Sequence, residues 1–188
     1  MFTGLLLFSL CIEIITHIMW FQHHFYGIKV NNLYLLHLYT LIEFLLITLF
    51  YHQVFQDISF WKKNVFGFIV FVSFLVVSNS IFLQPITVFN SNAKTLTQSI
   101  FIGYAIAYFL QANSDKTDLF STVIKTINSA ILLYYAGSLF IFMFGNVFFQ
   151  LDEFHKIFWV ANAVLYLIFQ LLVFTAIWQF RQTKSTYS

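Results

Sequence analysis

The chain has 188 residues, of which 60% are hydrophobic and only 9% charged, and its formal net charge is +2 at pH 7. Soluble domains carry roughly 25% charged residues, so a mean hydropathy of +0.82 excludes a globular protein that faces water all round. The composition is that of an integral membrane protein with room for one compact all-α transmembrane bundle, a single domain over 1–188.

Six apolar segments are marked off by polar or turn-forming stretches, at approximately 3–21, 33–55, 62–83, 95–112, 126–149 and 157–180. The first, within "MFTGLLLFSLCIEIITHIMW", has neither a basic leader nor a small-residue cleavage site, and is expected to be a retained helix. It carries Glu13, His17 and the single cysteine, Cys11, which has no partner for an internal disulfide. The second segment places His37, Thr40, Glu43, Thr48 and Tyr51 on one arc at about 100° per residue, a polar stripe on an apolar helix. The third ends in Ser78, Asn79 and Ser80, with the lone proline, Pro85, just beyond it, where a helix can stop without harm.

In the fourth segment Gly103 and Ala107 make a small-residue patch suited to close packing, inside the bundle or between protomers. The fifth is preceded by "DLFSTVIKTIN", 118–128, whose Leu119, Phe120, Val123, Ile124 and Ile127 share a helical face. Its first two turns are expected to lie along the cytoplasmic interface as an anchor. Asn146 in the fifth segment and Asn162 in the sixth, like Asn79 in the third, are secondary polar groups near the outer helix ends. Gln98, Asn128, Tyr134, Tyr135 and Ser138 lie deeper and suit hydrogen bonding between helices.

Orientation follows from the basic residues. Lys62, Lys63, Lys116, Lys125, Arg181 and Lys184 fall on one side, against Lys29, Lys94 and Lys156 on the other. The excess places both termini in the cytoplasm of a bacterial inner-membrane protein, in keeping with an even number of spans. Trp20, Trp61, Trp159 and Trp178 all fall near segment ends, at headgroup level.

An ionised carboxyl at the bilayer centre costs roughly 3 kcal/mol on insertion scales. Glu13 and Glu43 must therefore face protein and find partners. If the first two helices pair antiparallel, matching sequence positions bring Glu13 level with Glu43 and His17 level with His37. The expected site is this intramembrane cluster of Glu13, His17, His37, Thr40 and Glu43. Shared protons among such groups are a known way to hold carboxyls out of water. No HxxxH, HExxH, GxSxG, P-loop or Gly-rich dinucleotide turn is present, so no catalytic residue, metal or cofactor is assigned.

The stretches "HLYTLIEFLLITLFYHQVF" and "INSAILLYYAGSLFIFMFGN" resemble an uncharacterised family of small six-helix bacterial inner-membrane proteins. The resemblance implies no activity, and suggests an accessory protein beside a sensor kinase or a phage-defence system. Three functions are compatible with the sequence. The first is a non-enzymatic oligomer that senses, gates or conducts through the protonatable cluster, with histidine setting a response between pH 5 and 8. The second is a membrane effector or regulator of an anti-phage, CRISPR-accessory-like system, permeabilising the membrane or restraining a nuclease. The third is an intramembrane enzyme acting on a lipid-like substrate with the carboxyl–histidine cluster as acid and base. The expected partners are the lipid bilayer, further copies of the chain and a sensor kinase or defence nuclease; direct nucleic-acid binding is not expected.

Overall fold

The computed structural model describes residues 2–27, 31–111, 119–148 and 152–186. Among them the architecture is all-α, a multi-pass helical bundle. Its helices are α1 (Phe2–Tyr26), α2 (Leu33–Val54), α3 (Ser59–Ser78), α4 (Ser91–Gln111), α5 (Leu119–Met143), the short α6 (Gly145–Phe148) and α7 (Asp152–Thr186). A π-helical turn, Asn79–Leu83, prolongs α3. Lys29, Lys116 and Asp118 lie outside the described residues, as do the side chains of Trp20, Leu119, Phe120 and Lys184.

Five helices, α1, α2, α3, α5 and α7, are long and apolar enough to cross a membrane. The fourth expected span is a helix too, but it does not reach that apolarity. Its first nine residues, Ser91–Ser99, include Asn92, Lys94, Thr95, Thr97 and Gln98, and only the half after Ser99 is continuously apolar apart from its tyrosines. The segment 118–128 runs into the fifth expected span, as its sequence suggests. Its described part belongs to α5, one unbroken helix from Leu119 to Met143. The expected fifth span instead breaks after Met143, where Phe144 closes the turn on Phe140 and leads into α6.

The chain forms two compact units, Met1–Thr97 and Gln98–Ser188, so that α4 contributes its first two turns to one and the remainder to the other. In the first unit α2 and α3 are an antiparallel hairpin. Phe55, Tyr51 and Trp61 pack edge and face at its closed end, Phe44 meets Phe68 farther along, and His37 meets Ser80 at its open end. Helix α1 lies against α2 through Phe8, which stacks on Tyr39 at 5.9 Å between centroids, and through Ser9, whose hydroxyl is 3.4 Å from that of Tyr39.

In the second unit α5 and α7 form the most extensive helix pair. Tyr134 meets Phe169 and Tyr166, Gly137 faces Leu165, and Phe142 meets Trp159, so positions fall on one helix as they rise on the other. The pairing is antiparallel. Asn128 donates to the Ala105 carbonyl at 3.1 Å and Gln98 to the Ser138 hydroxyl at 3.0 Å, hydrogen bonds that join α4 to α5. Helix association in lipid rests on such bonds and on close contact between small residues rather than on water exclusion.

Gly137 is where the second unit is tightest. A Cβ there would stand 3.1 Å from Leu165 Cδ1, a contact that the tip of a leucine can relieve for one methyl but not for a branched side chain. Gly137→Val should destabilise the protein by about 1–3 kcal/mol, whereas Gly137→Ala should stay near neutral, because alanine's helix propensity offsets the crowding. Denaturant titration of helicity in detergent micelles checks both. Equal loss for the two variants would show that the close approach tolerates nothing.

Candidate functional site

Glu43 answers its cost in lipid with a lysine. Lys94 Nζ lies 2.5 Å from Glu43 Oε2, with the two side chains 1% and 0% exposed. The ammonium also stands 4.8 Å from the centre of the Tyr39 ring, where the electron-rich ring face attracts a cation. Lys94 can reach this position because α4 begins in the interior of the first unit. Phe89, Asn90, Ser91 and Ala93 are all buried, and Pro85 and the connection after it bring the chain in without helical structure. Irregular backbone at membrane depth is tolerated where protein surrounds it.

His37 lies six residues before Glu43 on α2, about 9 Å along the helix. It is 6% exposed and ties α2 to the α3–α4 break through both ring nitrogens. Nε2 is 3.0 Å from the Val88 carbonyl oxygen and therefore donates to it. Nδ1 is 2.7 Å from Ser80 Oγ, which is itself 3.1 Å from the Val76 carbonyl. A serine hydroxyl has one hydrogen and two lone pairs, so this chain of contacts admits two protonation patterns. With neutral His37 the hydroxyl donates to Nδ1. With cationic His37 the ring donates to Ser80, and the hydroxyl turns to donate to Val76. No hydrogen bond to the ring is lost in either state.

A second polar chain runs through the break. The backbone N–H of Asn92 donates to Gln84 Oε1 at 2.9 Å, Asn79 Nδ2 donates to the same oxygen at 3.3 Å, and Asn79 Nδ2 also donates to Asn90 Oδ1 at 3.1 Å. A backbone N–H can only donate, so it fixes Gln84, and through Gln84 the orientation of both asparagine amides. Asn79 sits on the π-helical turn, an element that commonly marks a functional position. The turn widens the helix where these side chains converge.

The expected cluster does not assemble as one layer. Matching polar positions set the expected α1–α2 register, but the register in the structure is set by Phe8 and Ser9 against Tyr39. This displaces Glu13 from the level of Glu43 by about two helical turns, roughly 12 Å. Glu13 and His17 are exposed on α1, and the His17 ring bonds the Glu13 backbone carbonyl at 2.9 Å rather than a carboxyl. Thr40 is fully buried, and its hydroxyl donates to Leu36 within its own helix.

Asn79 belongs to the site, whereas Asn146 on α6 and Asn162 on α7 belong to the second unit. Gly103 is exposed, with open space where its Cβ would be, and Ala107 is half-buried. Among the described residues no three His, Cys, Asp or Glu side chains are placed to hold a metal.

Lys94, Gln84 and Asn90 escaped the sequence reading because 84–94 reads as a loop separator, and Tyr39 because it reads as one more aromatic of the second apolar segment. A signal was present nonetheless: a glutamate at the middle of a span requires a cation, and Lys94 immediately precedes the fourth apolar segment, 95–112.

Breaking the pair from one side should be costly. Glu43→Leu or Lys94→Met alone leaves an unpaired buried charge and should destabilise the protein by about 3–5 kcal/mol. The double variant should recover most of that loss, which denaturation of all four proteins in the same micelles would measure as a coupling energy. Additive losses would mean that the two side chains act separately. Protein-family models, curated proteins and solved structures were all compared with the chain, and none matches it.

Proposed function

We propose that this chain is a non-enzymatic sensing or gating protein of the bacterial inner membrane, and that its response is to protons at His37. The observation that carries this reading is Ser80 Oγ standing between His37 Nδ1 and the Val76 carbonyl. Histidine is the side chain that ordinarily changes charge between pH 5 and 8, and here a rotating hydroxyl accommodates that change. Among the described residues, the charged groups along α2 and the start of α4 are Glu43 and Lys94, which neutralise each other. Protonation of His37 therefore adds an uncompensated positive charge next to a pair that has none to spare. In a low-dielectric interior that favours outward movement of the 84–90 connection, whose Ile86, Thr87 and Val88 are already exposed.

The orientation reading is supported by the same pair. Lys94 is buried against Glu43 and is no loop lysine, so with α4 crossing as a sixth, less apolar span only Lys29 and Lys156 remain opposite the six basic residues of the other side. The positive-inside rule then places the α2–α3 connection in the cytoplasm and the α3–α4 break near the outer face. His37 would report on the medium outside the cytoplasmic membrane. Thiol labelling in a Cys11→Ser background tests the topology: a cysteine at Thr87 should react with an impermeant reagent in intact cells and one at Asp57 should not. The reverse pattern would invert the bundle.

The sensing itself is read by labelling the Thr87 cysteine in proteoliposomes as the outside pH falls from 8 to 5. The rate should change about fivefold or more, the range of ordinary coupling free energies. His37→Gln should abolish the change, Ser80→Ala should blunt it, and Ser80→Thr, which keeps the hydroxyl, should preserve it. A wild type that is indifferent to pH, or a His37→Gln variant that responds fully, would rule the reading out.

A further inference from the structure

Helix α1 carries a carboxyl where lipid would be. Its buried side meets α2 at Ser9 and Phe8 and also carries the buried Met19, with Ile12 and Thr16 half-buried between them. The opposite side presents Leu7, Leu10, Ile14, His17 and Phe21, all exposed. These recur at intervals of three and four, the spacing with which one helix meets another along a seam. Glu13 flanks the stripe near the midpoint of the helix, and its carboxyl has no hydrogen-bond partner among the described residues. A carboxyl at that depth cannot be left to hydrocarbon.

The state of His17 identifies what would satisfy it. Nδ1 donates to the Glu13 backbone carbonyl, so in the neutral ring Nε2 is an acceptor without a partner among the described residues. A protonated carboxyl is a donor, and Glu13 and His17 are one turn apart on the same face. They do not bond side chain to side chain within α1. In a second copy inserted in the same orientation, α1 runs parallel and brings His17 to the depth that Glu13 can reach across a two-fold axis. Two equivalent carboxyl-to-imidazole hydrogen bonds then form, and the carboxyls are withdrawn from lipid without a net charge.

We propose that the outward face of α1 is a homodimer interface, closed by reciprocal hydrogen bonds between Glu13 of each copy and His17 of the other. The interface is isologous: one surface is complementary to itself. It requires no separate partner to supply a polar group at mid-membrane, because the chain carries both halves of the match. It is independent of the proton response at His37, which lies on α2.

Disulfide trapping in native membranes at low protein-to-lipid ratio tests the interface. In a Cys11→Ser background, cysteines at Leu10 and Ile14 should yield a product of twice the 22.2 kDa chain mass. A cysteine at Ile15, exposed on the neighbouring flank, should yield about tenfold less, the discrimination given by ~1.4 kcal/mol. Adding Glu13→Leu to the Ile14 cysteine should lower the product by a similar factor while helicity is kept, because that change only removes a polar group from the lipid-facing side. Glu13→Gln, whose amide can still donate to Nε2, should restore it. Equal trapping at Ile14 and Ile15, indifference to Glu13→Leu, or a product containing a different polypeptide would each overturn the proposal.

Discussion

The first unit depends on Lys94 reaching Glu43 where there is no water to hold either charge. Neither residue can be placed there alone, since breaking a buried pair exposes the full desolvation cost of the survivor. Their joint presence dictates much of the local architecture. For a lysine near the start of α4 to meet a glutamate midway along α2, α4 has to begin inside the protein. The chain between α3 and α4 must then come inward without helical hydrogen bonds, and its polar groups need partners there. Asn79, Gln84 and Asn90 are those partners, and the π-helical turn helps to place the first of them. The break, its amide chain and the short polar start of α4 follow from one ion pair.

The second unit is held by other means. Its α5–α7 seam is built from rings, Tyr134, Tyr135, Tyr166 and Phe169 among them, and from the close approach at Gly137. Between α4 and α5 it has hydrogen bonds of neutral side chains, Gln98 to Ser138 and Asn128 to a backbone carbonyl. Neutral contacts between transmembrane helices contribute about 1 kcal/mol each and need no counter-charge, so α5 and α7 can stay regular. The difference in regularity between the units follows the difference in charge.

Much of this was legible in the residues. Composition identifies the solvent, and apolar runs mark six segments, five of which hold helices long and apolar enough to span it, because both depend only on local sequence. Glu43 and His37 were identified as buried functional candidates because lipid tolerates neither without a partner. The identity of those partners was not legible. Pairing Glu13 with Glu43 relied on matching polar residues across a hairpin, yet register is decided by packing, here Phe8 against Tyr39. Lys94 was hidden because hydropathy treats a lysine after a proline and several polar residues as loop. Gly103 and Ala107 illustrate the same limit: small residues permit close approach but do not reveal whether another helix takes it up.

The proposal of a response at His37 rather than at Glu43 rests on what each environment allows. Glu43 and Lys94 share a hydrogen bond that is lost, or leaves a charge stranded, when either side chain alone changes state. Such a pair serves better as a latch than as a sensor. His37 has the Val88 carbonyl for its Nε2 hydrogen in both states, and a serine hydroxyl that can give to Nδ1 or receive from it. On the proposed reading every hydrogen bond to the ring is kept in both states, so only the electrostatic consequence of protonation remains. That consequence falls on the neighbouring latch, six residues along the same helix, and on the irregular connection whose carbonyl His37 holds.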